Sequence, residues 1–262
     1  MTTELDIRKA ICETGRRMYA KNLVAATDGN ISVRLAPNRF VCTPSGVSKG
    51  FLTPNDLLIA DGKGNKVSGQ GKVTSEFFTH LAAYEERPEM KAVVHAHPPK
   101  AIGLTLAGIS LAECVLPEVV YTVGGVPTSV YATPATKEGA AAIRELIRQC
   151  DAILLDRHGA LTIGVDVYDA YFKMEKIEHA AETLLVAHLL GRVPKLPPEE
   201  VEKLYDVRRQ YGVSGRAFPC VHCDGSGADS PVCRHELPSA GAEGAMSLDN
   251  VILDTLKVLG HG

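Results

Sequence analysis

The chain has 262 residues, 45% hydrophobic and 23% charged, with a formal net charge of -3. That is the composition of a globular protein with one substantial core plus an appendage, and it carries no basic surplus for a nucleic-acid partner or an anionic membrane surface. No apolar run approaches ~20 residues and the opening Met-Thr-Thr-Glu-Leu-Asp is no signal peptide, so no membrane span is expected and the expected location is cytoplasmic. Residues 5–22 carry Ile7, Ile11 and Met18 at helical spacing, which predicts an amphipathic helix. Short strands are predicted over residues 31–34, 39–42 and 57–60, bounded by turns such as Asp28-Gly29-Asn30 and Asp61-Gly62. Thr74-Ser75 reads as a helix start, with Glu76 in the first turn and the helix running through Tyr84. Ala92-Val93-Val94 leads into His95 as a strand that Pro98-Pro99 ends, and a short helix follows at 101–106. Next come a strand at 126–131, a helix at 137–150, a strand at 152–155 running to His158, and a strand and turn at 159–164. A long amphipathic helix at 168–190 stops at Gly191 and Pro194, and 199–211 forms the last helix of the body. No βαβ unit repeats, so residues 1–212 are read as an α/β domain: a three-layer α/β/α fold with a mainly antiparallel central sheet.

Composition shifts after Gly212. Residues 213–237 are rich in Cys, Gly, Ser and Asp, and residues 238–262 are a linker followed by an apolar helix with Leu248, Ile252, Leu256 and Leu259 on one stripe. Seven cysteines without a secretory signal are expected as thiols or metal ligands rather than a disulfide framework. Cys220, Cys223, Cys233 and His235 have the ligand types of a candidate second metal site, zinc or iron–sulfur. The terminal stripe reads either as a helix docked on its own body or as one that enters a partner's groove.

His95-Ala96-His97 carries the main chemical signal. Residues two apart on a strand project from one face, so two imidazoles at a strand end can hold one cation. His158, where another apolar strand ends, and Glu76 would complete a four-ligand set suited to zinc, or leave the carboxylate free to act. Glu76 with His80, four residues on, is the rival pair. His80 lies in an apolar run and reads better as a hydrogen-bonded core histidine. Three segments offer anion-binding chemistry: Thr27-Asp28-Gly29-Asn30, Thr43-Pro44-Ser45-Gly46, and the helix start at Thr74-Ser75.

Together Thr27-x-Gly29-Asn30-x-Ser32, Thr43-Pro44-Ser45-Gly46, Thr74-Ser75-Glu76, His95-x-His97, Tyr131-Ala132-Thr133 and Arg157-His158-Gly159 follow the order and spacing of the class II aldolase/adducin family. Over residues 5–212 the chain resembles the L-fuculose-1-phosphate aldolase branch of that family. The resemblance implies a homotetramer with interface active sites and one catalytic zinc. It implies His95, His97 and His158 as metal ligands, with Glu76 as a ligand of the resting metal that then serves as base. It implies phosphate binding by Asn30, Ser45, Gly46, Thr74 and Ser75, with Thr27 beside them, and an interface role for Tyr211. The branch places a tyrosine acid just before a Gly-Gly turn. Counting back from Gly124-Gly125, Glu118 holds that place here and Tyr121 lies nearby, so Glu118 is the first candidate acid and Tyr121 the second.

The activity so implied is retro-aldol cleavage of a ketose 1-phosphate to dihydroxyacetone phosphate and an aldehyde such as lactaldehyde. The epimerase branch usually has Asp where this chain has Glu76, which favours carbon–carbon cleavage. Rival readings are a sugar-phosphate 4-epimerase, a dehydratase, a decarboxylase, a Schiff-base aldolase, and a non-catalytic adducin-like interaction module. A scaffold has no need of a complete ligand set, which argues against the last. The terminal stripe, residues 247–259, resembles the encapsulation peptides that bind shell proteins of bacterial microcompartments.

Overall fold

A computed structural model describes residues 3–220. Helix α1 (Glu4–Ala20) opens on a capping box, in which Thr3 Oγ1 accepts from the Asp6 amide at 3.2 Å and the Thr3 amide donates to Asp6 Oδ2 at 2.9 Å. Four strands follow: β1 (Asn30–Ala36), β2 (Arg39–Cys42), β3 (Leu58–Ala60) and β4 (Lys66–Ser68). Then come α2 (Phe77–Glu86), β5 (Ala92–Ala96), α3 (Pro99–Leu106), α4 (Pro117–Thr122) and β6 (Thr128–Ser129). The chain continues through α5 (Lys137–Gln149), β7 (Ala152–Leu155), β8 (Gly159–Gly164), α6 (Val167–Leu189) and α7 (Pro198–Gln210). Among the described residues, no helix is long and apolar enough to cross a membrane.

The strands form one eight-stranded sheet in the order β4-β3-β2-β1-β5-β8-β7-β6. Every pairing is antiparallel except β6 with β7. Successive side chains leave a strand on opposite faces, and both faces of the central strands are covered, so these strands read as unbroken apolar runs. Ala92, Val94 and Ala96 of β5 enter the core beneath α1, α3 and α6, whereas Val93 enters the core beneath α2 and α5. Ala152 and Leu154 of β7 divide from Ile153 and Leu155 in the same way. The predicted three-layer architecture and mainly antiparallel sheet are therefore present.

Three local features differ from expectation. Helix α2 starts at Phe77, so Glu76 sits at its N-cap position instead of inside its first turn. The Phe77 amide closes a tight turn on the Thr74 carbonyl at 3.1 Å, which frees the Glu76 side chain from any capping duty. Strand β4, fully exposed, and the six-residue α4 carry no periodic signal. Strand β6 is only two residues long, shorter than residues 126–131 predicted.

Residues 213–220, read from sequence as the start of an extension, lie against the body. The Gly125 amide donates to the Phe218 carbonyl at 2.9 Å, and Phe218 is buried. Asp151 anchors this strap and the layers beneath it: its carboxylate accepts from Arg87 at 2.8 Å, from Lys173 at 3.0 Å and from the Arg216 amide at 3.2 Å. Cys220 is disulfide-bonded to Cys114, with a Cα–Cα distance of 5.4 Å. This corrects two expectations: neither Cys114 nor Cys220 is a free thiol, and the Cys220 sulfur is engaged by Cys114 instead of a metal. A pairing across 106 residues of chain has no local signature. The other candidate ligands, Cys223, Cys233 and His235, and the terminal stripe at 247–259 lie outside the described residues.

His80 is the buried core histidine expected. Its Nδ1 lies 2.7 Å from Ser32 Oγ, which also meets the Tyr84 hydroxyl at 2.9 Å. Burial pushes its pKa down to about 3. The unfolded chain takes up this proton near pH 6.5 and the folded chain only near pH 3, so the neutral ring's contribution is full above pH 6.5 and is lost as pH falls toward 3. The stability gap between wild type and His80→Gln is therefore expected to shrink steadily from pH 7 to pH 4 in urea melts. A gap independent of pH would contradict a neutral buried ring.

Candidate metal centre

The β1–β5 ladder sets Asn30 opposite His95, and the β5–β8 ladder sets Ala96 opposite Ala160, just past His158. Strand register thus gathers side chains from four distant segments. Glu76 enters from the turn before α2, where Asn30 Nδ2 donates to its Oε2 at 2.8 Å. His97 lies just beyond β5, where its amide donates to the Leu23 carbonyl at 2.8 Å. His158 closes a turn on the Leu155 carbonyl at 3.0 Å, with Arg157 in the left-handed region at φ 57°. Gly159 then passes so close that a Cβ would lie 2.3 Å from the Ala96 carbonyl oxygen and 3.1 Å from His95 Cε1. Only glycine lets this turn press against both imidazoles.

The three imidazoles converge. Their ring centroids stand 4.9, 4.7 and 5.0 Å apart, a nearly equilateral triangle. Glu76 Oε2 lies 3.4 Å from His95 Nε2, and Glu76 Oε1 lies 3.2 Å from His158 Nε2. One ligand atom from each of Glu76, His95, His97 and His158 falls within 4.8 Å of all the others.

The donor chemistry fits a cation. His95 Nδ1 lies 2.9 Å from the Ala160 carbonyl, which can only accept, so Nδ1 carries the proton and Nε2 presents a lone pair. Asp28 Oδ2 faces His97 Nδ1 at 3.5 Å and favours the same tautomer there. The two Nε2 lone pairs then meet at 3.0 Å, an arrangement that a shared cation satisfies. Protonation states agree with this. Burial pushes His95 down to about 4 against the pull of Glu76, and burial likewise lowers His97. Burial works to raise the Glu76 carboxyl, but the imidazoles of His95 and His158 and the Asn30 amide hold it well below the usual carboxylate range. Neutral imidazoles beside an anionic carboxylate are the ligand states a divalent metal requires. His80, the rival ligand, faces Ser32 instead and is not part of this cluster.

The three anion-type loops meet next to Glu76. The Ser45 amide donates to the Lys72 carbonyl at 2.9 Å, and Pro44 bridges to Val73, which sets Ser45-Gly46 beside Thr74-Ser75. Thr27 is joined to this pair of loops by a residue the sequence did not single out. Lys49 is 1% exposed, and its Nζ donates to the Thr27 carbonyl at 2.7 Å and the Val47 carbonyl at 2.5 Å. Burial lowers its pKa to about 8. In a polar stretch such as Val-Ser-Lys-Gly a lysine reads as a surface residue, so no signal marked it. Lys49→Met leaves two carbonyls without their donor and is expected to cost about 1–3 kcal/mol, a melting-point drop of several degrees by calorimetry. An unchanged melting point would mean the ammonium ties nothing together.

Glu118 lies exposed on α4, Tyr121 is half-buried there with its carbonyl bonded to Arg208, and Tyr211 is 75% exposed beyond α7. None of the three lines the cleft beside Glu76, His95 and His158 within one chain. That cleft encloses about 430 Å³ together with its solvent mouth. Asp156, unmarked in the sequence reading, is part of its wall.

The family model for the class II aldolase and adducin N-terminal domain matches residues 9–185. An L-fuculose phosphate aldolase of Methanococcus maripaludis is 35% identical over 167 residues, 64% of this chain and 89% of that protein. A 3-oxo-tetronate 4-phosphate decarboxylase of Cupriavidus necator is 32% identical over 186 residues, 70% of this chain and 85% of that protein. A solved L-fuculose 1-phosphate aldolase superposes with a TM-score of 0.71 at 28% identity, covering 78% of this chain and 96% of its own.

Proposed function

Because the chain belongs to the class II aldolase and adducin N-terminal domain family, we propose that it is a zinc-dependent aldolase. It cleaves a ketose 1-phosphate of the L-fuculose 1-phosphate type to dihydroxyacetone phosphate and a small aldehyde such as lactaldehyde. The observation that carries this reading is the convergence of Glu76, His95, His97 and His158 on one point. The three histidines would hold the ion, with the Glu76 carboxylate beside them as a fourth donor. Zinc is chosen from the donor set, three imidazole nitrogens and a carboxylate oxygen. A divalent cation held there supplies Lewis acidity for the charge that develops on the ketose oxygens.

The chain's own groups supply the rest. Thr27, Asn30, Ser45, Gly46, Thr74 and Ser75 are assigned to the phosphate, which anchors carbon 1 beside Glu76. Cleavage breaks the bond between carbons 3 and 4 as the carbon-4 hydroxyl gives up its proton. Glu76, oriented by Asn30, returns a proton to carbon 3 of the departing dihydroxyacetone phosphate. Glu118, Tyr121 and Tyr211 are assigned to the site of a neighbouring copy in a homotetramer, with Glu118 the first choice for the acid that serves the aldehyde oxygen. The apolar C-terminal end of α6 supports an assembly: Val186, Leu189 and the following Leu190 stand 50%, 63% and 75% exposed. Residues 247–259 are proposed, from their resemblance alone, to bind a microcompartment shell protein.

The likeness to the decarboxylase of Cupriavidus necator favours a second reading, loss of carbon dioxide from a phosphorylated keto acid. One assay separates the two. A panel of ketose 1-phosphates and 3-oxo-tetronate 4-phosphate is incubated with and without chelator. Chelator-sensitive release of dihydroxyacetone phosphate together with an aldehyde from a ketose 1-phosphate supports the aldolase. Carbon dioxide release from 3-oxo-tetronate 4-phosphate, with dihydroxyacetone phosphate as the co-product and no cleavage of the ketose 1-phosphates, supports the decarboxylase, and borohydride trapping of substrate on a lysine would contradict both.

A further inference from the structure

The turn that delivers His158 delivers a second acidic group with it. Asp156 and His158 flank Arg157, whose left-handed backbone (φ 57°) is held by its amide donating to Thr105 Oγ1 at 3.1 Å. Both flanking residues line the cleft beside the metal ligands, whereas the Arg157 side chain is 61% exposed. Its guanidinium Nε stands 3.9 Å from Asp156 Oδ2, at the limit of an ion pair and in contact with solvent, so it screens that carboxylate weakly. The Asp156 side chain itself is 26% exposed.

Much of the remaining lining is apolar. Val130, Ala132, Pro134 and Leu155 face into the cleft, and no lysine or arginine is among its lining residues. Ala135, in the left-handed region at φ 60°, lies in the loop after β6 and lines the cleft together with Thr79 and His80 of α2. The cleft is narrow, and it begins at the wall formed by Glu76, His95 and His158. Its chemistry is thus that of a slot for a small uncharged group, with two carboxylates in its lining: Glu76 at the end beside the histidines and Asp156 at the side.

We propose that this cleft receives the aldehyde-derived end of the substrate and that Asp156 makes it reject a carboxylate there. The inference rests on the aldolase reading and sharpens it: the aldehyde product is neutral and short, and acids such as a keto-acid phosphate are excluded by a weakly screened like charge. In the condensation direction the new carbon–carbon bond forms at the carbon from which Glu76 has taken a proton, and the aldehyde oxygen takes up a proton. A carboxylate on the aldehyde plays no part in those steps, so any discrimination against it arises in binding.

The test uses the full-length, zinc-loaded protein with dihydroxyacetone phosphate and three aldehydes: acetaldehyde, glycolaldehyde and glyoxylate. Wild type is expected to use glyoxylate at least about tenfold less well, by kcat/KM, than either neutral aldehyde, a factor that corresponds to about 1.4 kcal/mol. Asp156→Asn, isosteric and uncharged, is expected to raise the ratio of glyoxylate to acetaldehyde about fivefold or more, mainly through KM for glyoxylate. Asp156→Ser is expected to move the ratio in the same direction and guards against a folding defect in one variant. Equal use of the charged and neutral aldehydes by wild type, or an unchanged ratio in both variants, overturns the proposal while leaving the aldolase intact. Condensation of none of the three overturns the aldolase reading and this inference together.

Discussion

His95→Ala is expected to lose divalent-metal retention by at least about 100-fold, and carbon–carbon cleavage with it. The side chain stands at the centre of the cluster. Its Nδ1 proton is fixed by the Ala160 carbonyl, and its Nε2 faces both His97 Nε2 at 3.0 Å and Glu76 Oε2 at 3.4 Å. Alanine removes one of the three proposed nitrogen ligands and the imidazole that Glu76 Oε2 faces at 3.4 Å. Losing an outer partner of a metal ligand typically costs about 10–100-fold in affinity, and losing the ligand itself costs more. The fold is expected to survive, because β5 keeps its ladders and alanine suits a strand already occupied by Ala92 and Ala96. Metal content after dialysis, measured beside a far-ultraviolet spectrum, checks both halves. Full metal occupancy in a folded variant would contradict the ligand assignment.

Glu76→Gln separates holding the metal from moving the proton. The amide keeps the shape of the side chain and a carbonyl oxygen toward the imidazoles, but it cannot accept a proton at neutral pH. Turnover is expected to fall by about 10²–10⁴-fold, the range for loss of a positioned acid–base group. Solvent-isotope exchange into dihydroxyacetone phosphate is expected to disappear with it, while metal retention is weakened but measurable because three imidazoles remain. The lowered pKa of the carboxyl sets the wild-type behaviour: Glu76 is anionic throughout the neutral range, and as pH falls the proton goes to the His95 imidazole before the carboxylate. Wild-type exchange rates in Glu76→Gln would assign the proton to another group.

Much of this centre is visible along the chain because its parts are local. His95-x-His97 ends an apolar run, and that run is β5, with its two faces divided between the two cores. Strand β2 spans the predicted residues without a shift, since turn residues bound it closely on both sides. What escaped notice depends on distant partners. Phe77-Phe78 reads as the continuation of a helix begun at Thr74, and only the folded turn shows Glu76 released at the N-cap to meet histidines 19 and more residues away. Lys49 is buried because two carbonyls from separate loops converge on it, which no pattern around residue 49 records. The strap at 213–220 is polar and short of periodicity, and its attachment to Asp151, Gly125 and Cys114 joins segments far apart in sequence. Asp156 looked like an ordinary turn residue because its meaning comes from the cleft it lines. Glu118, Tyr121 and Tyr211 all lie outside that cleft within one chain, so no local pattern separates them.

Glu76, His95, His97 and His158 are expected to hold one divalent ion between them. Crystals of the full-length protein equilibrated with zinc, measured on both sides of the zinc absorption edge, test this most directly. One strong anomalous peak per chain is expected among those four side chains, lost on chelation together with cleavage activity. Zinc-dependent cleavage with no peak at that position would contradict the shared-ion assignment.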